Sequence, residues 1–231
     1  MYTAKLGRLA FSLAILSAPA ASLAQTRTAA PPGTATSATT PVRRDDWQRV
    51  PDIFAALGAK PGSRIADVGA GEGYLTLRLA RHVGPGGRVF AVDISDDALG
   101  RLSEALEKDS LRNVELVLAE DDDPRLPFGT LDGVVIVNAY HEMTKRVPVL
   151  DGLKRALKPG GLLVIVDNAA PDSVQTRKAQ TDRHMLSIDF ARDDLEAQGF
   201  EIVSSDASFI DRKLPDHSQK QWLLVARRGK K

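Results

Sequence analysis

The sequence predicts an α/β domain, a three-layer sandwich in which helices cover both faces of a mostly parallel sheet. Short apolar segments alternate with segments whose apolar residues recur at helical spacing, as in βαβ units. A turn rich in glycine joins the first apolar segment to the helical pattern after it. The last two apolar segments have no helical pattern between them, which predicts a hairpin and one antiparallel strand near the C-terminus.

The predicted elements begin with a helix from Asp46 to Leu57, whose apolar residues fall on one face. This helix either packs ahead of the first strand or covers the ligand pocket. The elements that follow are strand 64–68, helix 73–83, strand 88–93, helix 96–108, strand 114–118, strand 131–137, helix 144–157 and strand 161–167. A helix near 190–198 and strands at 200–205 and 222–226 complete a seven-stranded sheet.

The glycine turn follows the apolar strand 64–68 and contains Gly69, Gly71 and Gly73. Glycine tolerates positive φ and lets a ligand lie against bare backbone. Such a turn presents free amide N–H groups and the positive end of a helix, which suit a nucleotide-like ligand. The alternative interpretation is a glycine turn of an ordinary α/β domain.

The spacing of these glycines differs from the dinucleotide fingerprint, which would place its third glycine at position 74, where this chain has Tyr74. Asp67 stands two residues before the first glycine. A carboxylate facing the pocket would repel a pyrophosphate and favour an ammonium or sulfonium group. The pattern Asp-x-Gly-x-Gly-x-Gly resembles motif I of the class I S-adenosylmethionine (SAM) methyltransferases.

A second acid, Asp93, ends the next apolar strand 22 residues beyond Gly71. In doubly wound folds an acid near this distance hydrogen-bonds the ribose hydroxyls of an adenosine ligand. The alternative is a helix N-terminal acid before Ser95 and Asp96. Together with Asp67 and the glycine turn, the spacing favours the ribose role.

The resemblance to the methyltransferases extends from about Trp47 to Arg227. It implies a Rossmann-like sheet with SAM as the cofactor, and an acid after the third strand that contacts the adenine amino group. Glu120, Asp121 and Asp122 are all candidates for that acid, and Asp122 is preferred from its spacing to the Leu-Pro-Phe segment. The cofactor-binding residues implied are Asp67, Gly69, Gly71, Gly73, Asp93, Ile94, Asp122 and Asn138.

Polar residues after the fourth strand are expected where the methyl group sits, because ligands bind outside the carboxyl ends of the strands. Tyr140, His141 and Glu142 resemble a Tyr-His-His run of exported bacterial proteins with a methyltransferase domain. The departure at Glu142 leaves no metal site predicted. His141 is either a general base or a structural residue, and Tyr140 either packs on the cofactor or orients the acceptor. No acid–base dyad is predicted.

The N-terminal residues predict export. Lys5 and Arg8 precede a short apolar stretch and a run of small residues, so residues 1–24 have the pattern of a secretory signal peptide. An uncleaved anchor is the alternative. Residues 25–44, rich in Thr, Ala and Pro, are predicted to be a disordered linker, and 45–231 the methyltransferase domain. The expected location is the bacterial periplasm, without stable membrane association after cleavage.

Charge and composition limit the partners. The chain has 31 Lys and Arg and 30 Asp and Glu, and removal of Lys5 and Arg8 with the signal would leave 29 basic residues. A nearly neutral chain is not expected to bind nucleic acid. With no cysteine, disulfides, thiolate metal sites and a Cys nucleophile are excluded.

The sequence therefore predicts two alternative functions. The first is methyl transfer from SAM to a small-molecule acceptor by direct displacement. The second is an exported, noncatalytic protein that binds SAM or an adenosine-like ligand. The glycine spacing disfavours an NAD-dependent oxidoreductase.

Overall fold

The computed structural model describes residues 43–213 and 218–230. The strands of the described residues are β1 (Arg64–Val68), β2 (Arg88–Asp93), β3 (Val114–Leu118), β4 (Leu131–Val137), β5 (Leu157–Asn168), β6 (Phe200–Lys213) and β7 (Ser218–Arg228). The α-helices described are α1 (Val50–Leu57), α2 (Tyr74–Val83), α3 (Asp96–Lys108), α4 (Arg146–Ala156), α5 (Arg177–Thr181) and α6 (Ile188–Ala197). Short 3₁₀ helices cover Arg44–Asp46 and Tyr140–Glu142.

The strands form a single seven-stranded sheet in the order β3-β2-β1-β4-β5-β7-β6. Pairing is parallel from β3 to β5, whereas β7 runs antiparallel to both β5 and β6. The structure therefore confirms the predicted Rossmann-like α/β fold, with seven strands of which one is antiparallel. Val68 pairs with Val92 on one side and Ile136 on the other, so the carboxyl ends of β1, β2 and β4 meet at one edge.

The core lies in two apolar layers, one on each face of the sheet. Val134 and Ile136 of β4 pack with α4 and α6, and the alternate residues Val135 and Val137 pack with α1 and α2. This alternation follows from the period of two along a strand. Both faces are buried, which explains why the central strands are continuously apolar in sequence.

The first helix is shorter than predicted. It begins at Val50, because Arg49 has a left-handed backbone with φ of 52° and Pro51 lies in the first turn, where its missing N–H costs no hydrogen bond. Trp47 therefore lies outside the helix. The helix packs on β4 and β5 and does not line the cofactor cleft described below, which selects the packing alternative over the lid.

The C-terminal strands are longer than predicted, and α5 was not predicted. The extra residues of β6, from Asp206 to Lys213, are mainly polar, so their pattern does not indicate a strand. Backbone pairing with β7 extends the strand through these residues. The pairing shifts register between Ile202 and Ser204 and between Asp206 and Ile210. Strand β5 likewise begins at Leu157, ahead of the strand predicted over 161–167.

The predicted signal peptide 1–24 lies outside the described residues, as does the predicted linker 25–44 apart from its last two residues. Among the helices that the structure describes, none combines the length and apolar character needed to cross a bilayer.

Candidate cofactor cleft

A cleft with a volume of about 330 Å³ opens at the carboxyl ends of β1, β2 and β4. Its walls come from the glycine turn after β1, the end of β2, the loop after β3 and the segment after β4. This is the edge of a parallel sheet at which α/β proteins bind ligands. The apolar side chains Val68, Ala119 and Val149 form part of its lining.

Gly69 and Gly71 line the cleft, and Gly73 does not. All three have positive φ. A Cβ on Gly69 would lie 2.4 Å from the Cβ of Ala139, whereas a Cβ on Gly71 would meet open space. A Cβ on Gly73 would lie 2.2 Å from Cδ1 of Leu102. Leu102 of helix α3 thus occupies the space beside Gly73, and the contact of Gly73 with the cofactor stays a prediction.

Asp93 is held at the cleft by two backbone donors. The N–H of Gly71 donates to Oδ2 at 2.8 Å, and the N–H of Ser95 donates to Oδ1 at 2.9 Å. The N-cap of α3 is Ser95, whose hydroxyl accepts from the N–H of Ala98. Asp93 lines the cleft beside Ile94, whose side chain is 66% exposed. Ser95, and not Asp93, therefore caps helix α3, so the structure does not support the interpretation of Asp93 as the helix N-terminal acid.

Asp67 faces away from the cleft. It alternates with Ala66 and Val68, which pack on the opposite face of the sheet, so its carboxylate lies beneath α2 and accepts a 2.6 Å hydrogen bond from the hydroxyl of Thr76. Burial raises the pKa of Asp67 to about 6, although the Thr76 hydrogen bond lowers it. The expectation that this carboxylate faces the pocket is wrong. Successive residues of a strand point to opposite faces of the sheet, and Asp67 points to the face beneath α2.

Among the acids after β3, Glu120 and Asp121 line the cleft. Asp122, the preferred adenine contact, does not. The N–H of Glu120 bonds to the carbonyl of Asp123, which closes a turn there. The carboxylate of Asp122 instead lies 3.2 Å from Nζ of Lys145, beside that of Asp121 at 2.9 Å. Glu120 and Asp121 therefore line the cleft where Asp122 does not, and the adenine contact of Asp122 stays a prediction.

Asn138 lines the cleft in a left-handed conformation with φ of 57°. Its Oδ1 accepts a hydrogen bond from Nε2 of Gln221, which also contacts Oδ1 of Asn168. Gln48 donates in turn to Oε1 of Gln221 at 3.0 Å, and both glutamines are fully buried. The sequence did not predict this network of side-chain amide hydrogen bonds, because isolated glutamines form no recognisable motif.

Tyr140 lies in the core and not in the cleft. Its side chain is fully buried, and its hydroxyl donates to Oδ2 of Asp194 at 2.9 Å. Burial, with the adjacent charge of Asp194, raises the pKa of Tyr140. Arg177 and Arg146 neutralise the same carboxylate at 2.8 and 3.3 Å. Its expected contact with cofactor or acceptor is therefore wrong, because the hydroxyl is already used in a buried ion-pair network.

His141 forms a buried pair with Asp167, a contact that the sequence did not predict. Nδ1 lies 2.7 Å from Oδ1 of Asp167, while the imidazole Nε2 is buried and has no hydrogen-bond partner among the described residues. Burial lowers the pKa of His141, but Asp167 and Glu142 outweigh it and raise the pKa above its ordinary value. His141 does not line the cleft. A direct general-base role is thus unsupported.

Glu142 connects this pair to the cleft. It lines the cleft, and its Oε1 lies 3.5 Å from Nε2 of His141 and 3.5 Å from Nδ1 of His184. The two imidazoles meet edge to face with centroids 5.5 Å apart. We call these three residues the His-Glu-His cluster. No local sequence pattern connects His184 with His141, because the two residues are far apart in the chain.

Comparison with known proteins agrees with the fold and the cleft. Residues 65–161 match the family described as "Methyltransferase domain". The chain is 34% identical over 124 residues to a ubiquinone/menaquinone biosynthesis C-methyltransferase UbiE of Teredinibacter turnerae, a match that covers 53% of this chain and 49% of that protein. The chain thus spans about half the length of the curated relatives it matches.

Solved structures extend the likeness to the fold. A SAM-dependent methyltransferase from Aquifex aeolicus has a TM-score of 0.66 at 24% identity, covering 82% of this chain and 94% of that chain. The phosphoethanolamine N-methyltransferase 2 of Haemonchus contortus, in complex with SAM, has a TM-score of 0.63 at 16% identity, covering 79% of this chain and 53% of that chain.

The fold is one that solved SAM-dependent methyltransferases share, and the cleft lies at the carboxyl edge of its sheet. More narrowly, residues 65–161 carry the methyltransferase-domain match, and the fold and its neighbours support SAM as the cofactor.

Proposed function

We propose that this protein transfers the methyl group of SAM to an unidentified small-molecule acceptor. The observation that carries the proposal is the carboxylate of Asp93, fixed at the cleft by the N–H groups of Gly71 and Ser95. Each carboxylate oxygen can accept further hydrogen bonds. Two such oxygens, already oriented, suit the two adjacent hydroxyls of a ribose, and orienting them costs nothing when the ligand binds.

The remainder of the cleft suits the other parts of the cofactor. Ile94 and Val149 offer apolar surface for an adenine face, and Asp121 supplies an acceptor for its amino group. Gly71, where a Cβ would meet open space, leaves bare backbone along the turn, where the amino-acid portion can lie close. Asn138 and Glu142 stand at the β4 edge, where the methyl group and acceptor would meet.

The proposed reaction is a direct displacement. A lone pair or carbanion of the acceptor forms the new bond to the methyl carbon, and the electron pair of the broken carbon–sulfur bond remains on sulfur. The sulfonium charge already makes the methyl group electrophilic, so the protein contributes chiefly by aligning donor and acceptor. The similarity to relatives named as C-methyltransferases supports a carbon acceptor as the first class to test.

Calorimetry with the purified protein tests cofactor binding. We expect S-adenosylhomocysteine and SAM to bind and NAD not to bind. Asp93→Ala should weaken binding of S-adenosylhomocysteine by about tenfold or more, since hydrogen bonds to a charged group are lost. Asp97→Ala, an exposed acid on the neighbouring helix, is the matched control and should leave affinity unchanged.

Transfer from methyl-labelled SAM into pools of small molecules then separates the two functions carried forward. A labelled product supports the methyltransferase. Tight cofactor binding without any labelled product across carbon, oxygen, nitrogen and sulfur acceptors would favour a noncatalytic SAM-binding protein. NAD binding without SAM binding would contradict both.

We also propose export to the periplasm, which is supported by the signal-like sequence of residues 1–24. Fractionation of cells that produce the full chain tests this. Recovery of a chain that begins near residue 25 in the periplasm supports it, and an intact N-terminus in the cytosol contradicts it.

A further inference from the structure

We propose that the His-Glu-His cluster binds a divalent transition-metal ion, with Zn²⁺ as the ion it suits best. The ligands would be Nε2 of His141, Oε1 of Glu142 and Nδ1 of His184. The proposal rests on these donors alone and does not depend on the cofactor bound in the neighbouring cleft.

The spacing of the donors fits a tetrahedral site. The three atoms lie within 4.8 Å of one another, and the carboxylate oxygen is 3.5 Å from each imidazole nitrogen. Two ligands bonded to zinc at tetrahedral angles are about 3.4 Å apart, given bond lengths of about 2.0 to 2.2 Å. The cluster therefore needs little movement to enclose an ion.

The second observation is the unpaired nitrogen of His141. Its side chain is 3% exposed, and Nε2 has no hydrogen-bond partner among the described residues although water cannot reach it. A buried polar atom left without a hydrogen bond costs about 1 to 3 kcal/mol, and such atoms are uncommon in native proteins. Nε2 is directed at Glu142, where a metal ion would satisfy it.

Asp167 fixes His141 in the form that a metal requires. Its carboxylate accepts from the backbone N–H groups of His141 and Asn168 at 2.9 and 2.7 Å, in addition to its contact with Nδ1. With Nδ1 held against Asp167, Nε2 is the ring nitrogen that lies next to Glu142. A carboxylate behind a histidine ligand is the usual support of a protein metal site.

The backbone of His184 is held in the same way. His184 has a left-handed conformation with φ of 53°, which is costly for a residue other than glycine. Its carbonyl accepts a hydrogen bond from Nδ2 of Asn168, the residue next to Asp167. The adjoining pair Asp167 and Asn168 thus positions both histidines, although the side chain of His184 remains 74% exposed.

The chemistry of the donors selects the ion. Imidazole nitrogen suits zinc and other transition metals, whereas magnesium and calcium prefer oxygen ligands. Three protein ligands also leave a coordination position open, as in catalytic zinc sites. Because Glu142 lines the cleft, that open position would lie near the methyl-acceptor end, where an oxygen or nitrogen of an acceptor could bind.

Calorimetric titration of the full chain, prepared without a histidine tag, tests the proposal with Zn²⁺ and with Mg²⁺. We expect one zinc ion per chain and no comparable magnesium binding. His184→Ala and Glu142→Gln should each weaken zinc binding at least tenfold, and both side chains are exposed enough to be replaced without disturbing the core. The matched controls are His82→Ala and Glu104→Gln, exposed residues away from the cluster.

Thermal unfolding with and without zinc is the second readout, because an ion that binds the folded chain raises the unfolding temperature. The increase should occur in the wild type and both controls and be lost in the two cluster variants. The proposal is overturned if zinc does not bind the wild type, or if the cluster variants bind it as tightly as the controls.

Discussion

Asp167 holds His141 at two points: Oδ1 lies 2.7 Å from the imidazole Nδ1, and Oδ2 accepts the backbone N–H of His141 at 2.9 Å. Both residues come from the carboxyl edge of the sheet, one from the end of β5 and one from the 3₁₀ helix after β4. The pair fixes the orientation of the ring and joins the end of β5 to the segment after β4, which borders the cleft.

Replacing this support should weaken the proposed metal site. We expect Asp167→Asn to reduce zinc affinity by about 10- to 100-fold, since outer-shell partners of metal ligands have effects of that size. Calorimetry measures the affinity, and circular dichroism shows whether the variant folds. Asp182→Asn, an exposed acid paired with Lys178, is the control. A folded Asp167→Asn variant that binds zinc normally would show that His141 is not a ligand.

Asp67 should make stability depend on pH. Its pKa is raised from 3.8 to about 6 in the folded chain, chiefly by burial. Its contribution is therefore fully present below pH 3.8 and is lost as the pH rises through 6, on the order of 3 kcal/mol in total. Urea unfolding from pH 4 to 8 should show that Asp67→Asn loses this part of the pH dependence and is the more stable chain at pH 8.

The control for Asp67 is the exposed Asp97→Asn, which should keep the pH profile of the wild type. Affinity for S-adenosylhomocysteine should change little in Asp67→Asn. A large loss of affinity with an unchanged stability profile would restore the earlier expectation that this carboxylate faces the cofactor.

Gly73 should matter for folding and not for cofactor contact. Gly73→Ala combines a φ of 88° with a Cβ placed 2.2 Å from Leu102, so we expect it to lower the free energy of unfolding by about 2 to 4 kcal/mol. Gly86→Ala, whose Cβ meets open space, is the control and should be nearly neutral. Denaturant unfolding measures both. A stable Gly73→Ala protein with weakened cofactor affinity would contradict this assignment.

Tyr140 provides a further test, because its hydroxyl contacts Asp194 and not the cleft. Tyr140→Phe removes one hydrogen bond and should cost about 1 kcal/mol of stability. Two arginines still neutralise Asp194, so its charge is not left unpaired. Cofactor affinity and any methyl transfer should remain within about twofold of the wild type. A selective loss of turnover would instead place Tyr140 at the acceptor.

The topology was predictable from the sequence because apolar periodicity and glycine turns are local. Strands β1 to β4 have the predicted bounds, and Asp93 and Asn138 lie at the cleft as expected from the carboxyl-edge rule. The direction of Asp67 was predicted wrongly because spacing to the glycines does not show which face of β1 a side chain takes. Alternation along the strand would have placed Asp67 on the same face of the sheet as Ile65, beneath α1 and α2.

The remaining differences arise from contacts between distant segments. The pairing of His141 with Asp167 joins positions 26 apart, and its meeting with His184 depends on the segment between β5 and α6. A single sequence carries no local signal of such contacts. Which of Glu120, Asp121 and Asp122 line the cleft depends on one tight turn, which residue spacing alone does not resolve.

A crystal structure of the protein with S-adenosylhomocysteine bound would show directly whether Asp93 holds the ribose. We predict that the adenosyl group fills the cleft and that both ribose hydroxyls lie at about 2.7 Å from the carboxylate oxygens of Asp93. An empty cleft at saturating ligand, or a ligand bound with its ribose away from Asp93, would contradict it.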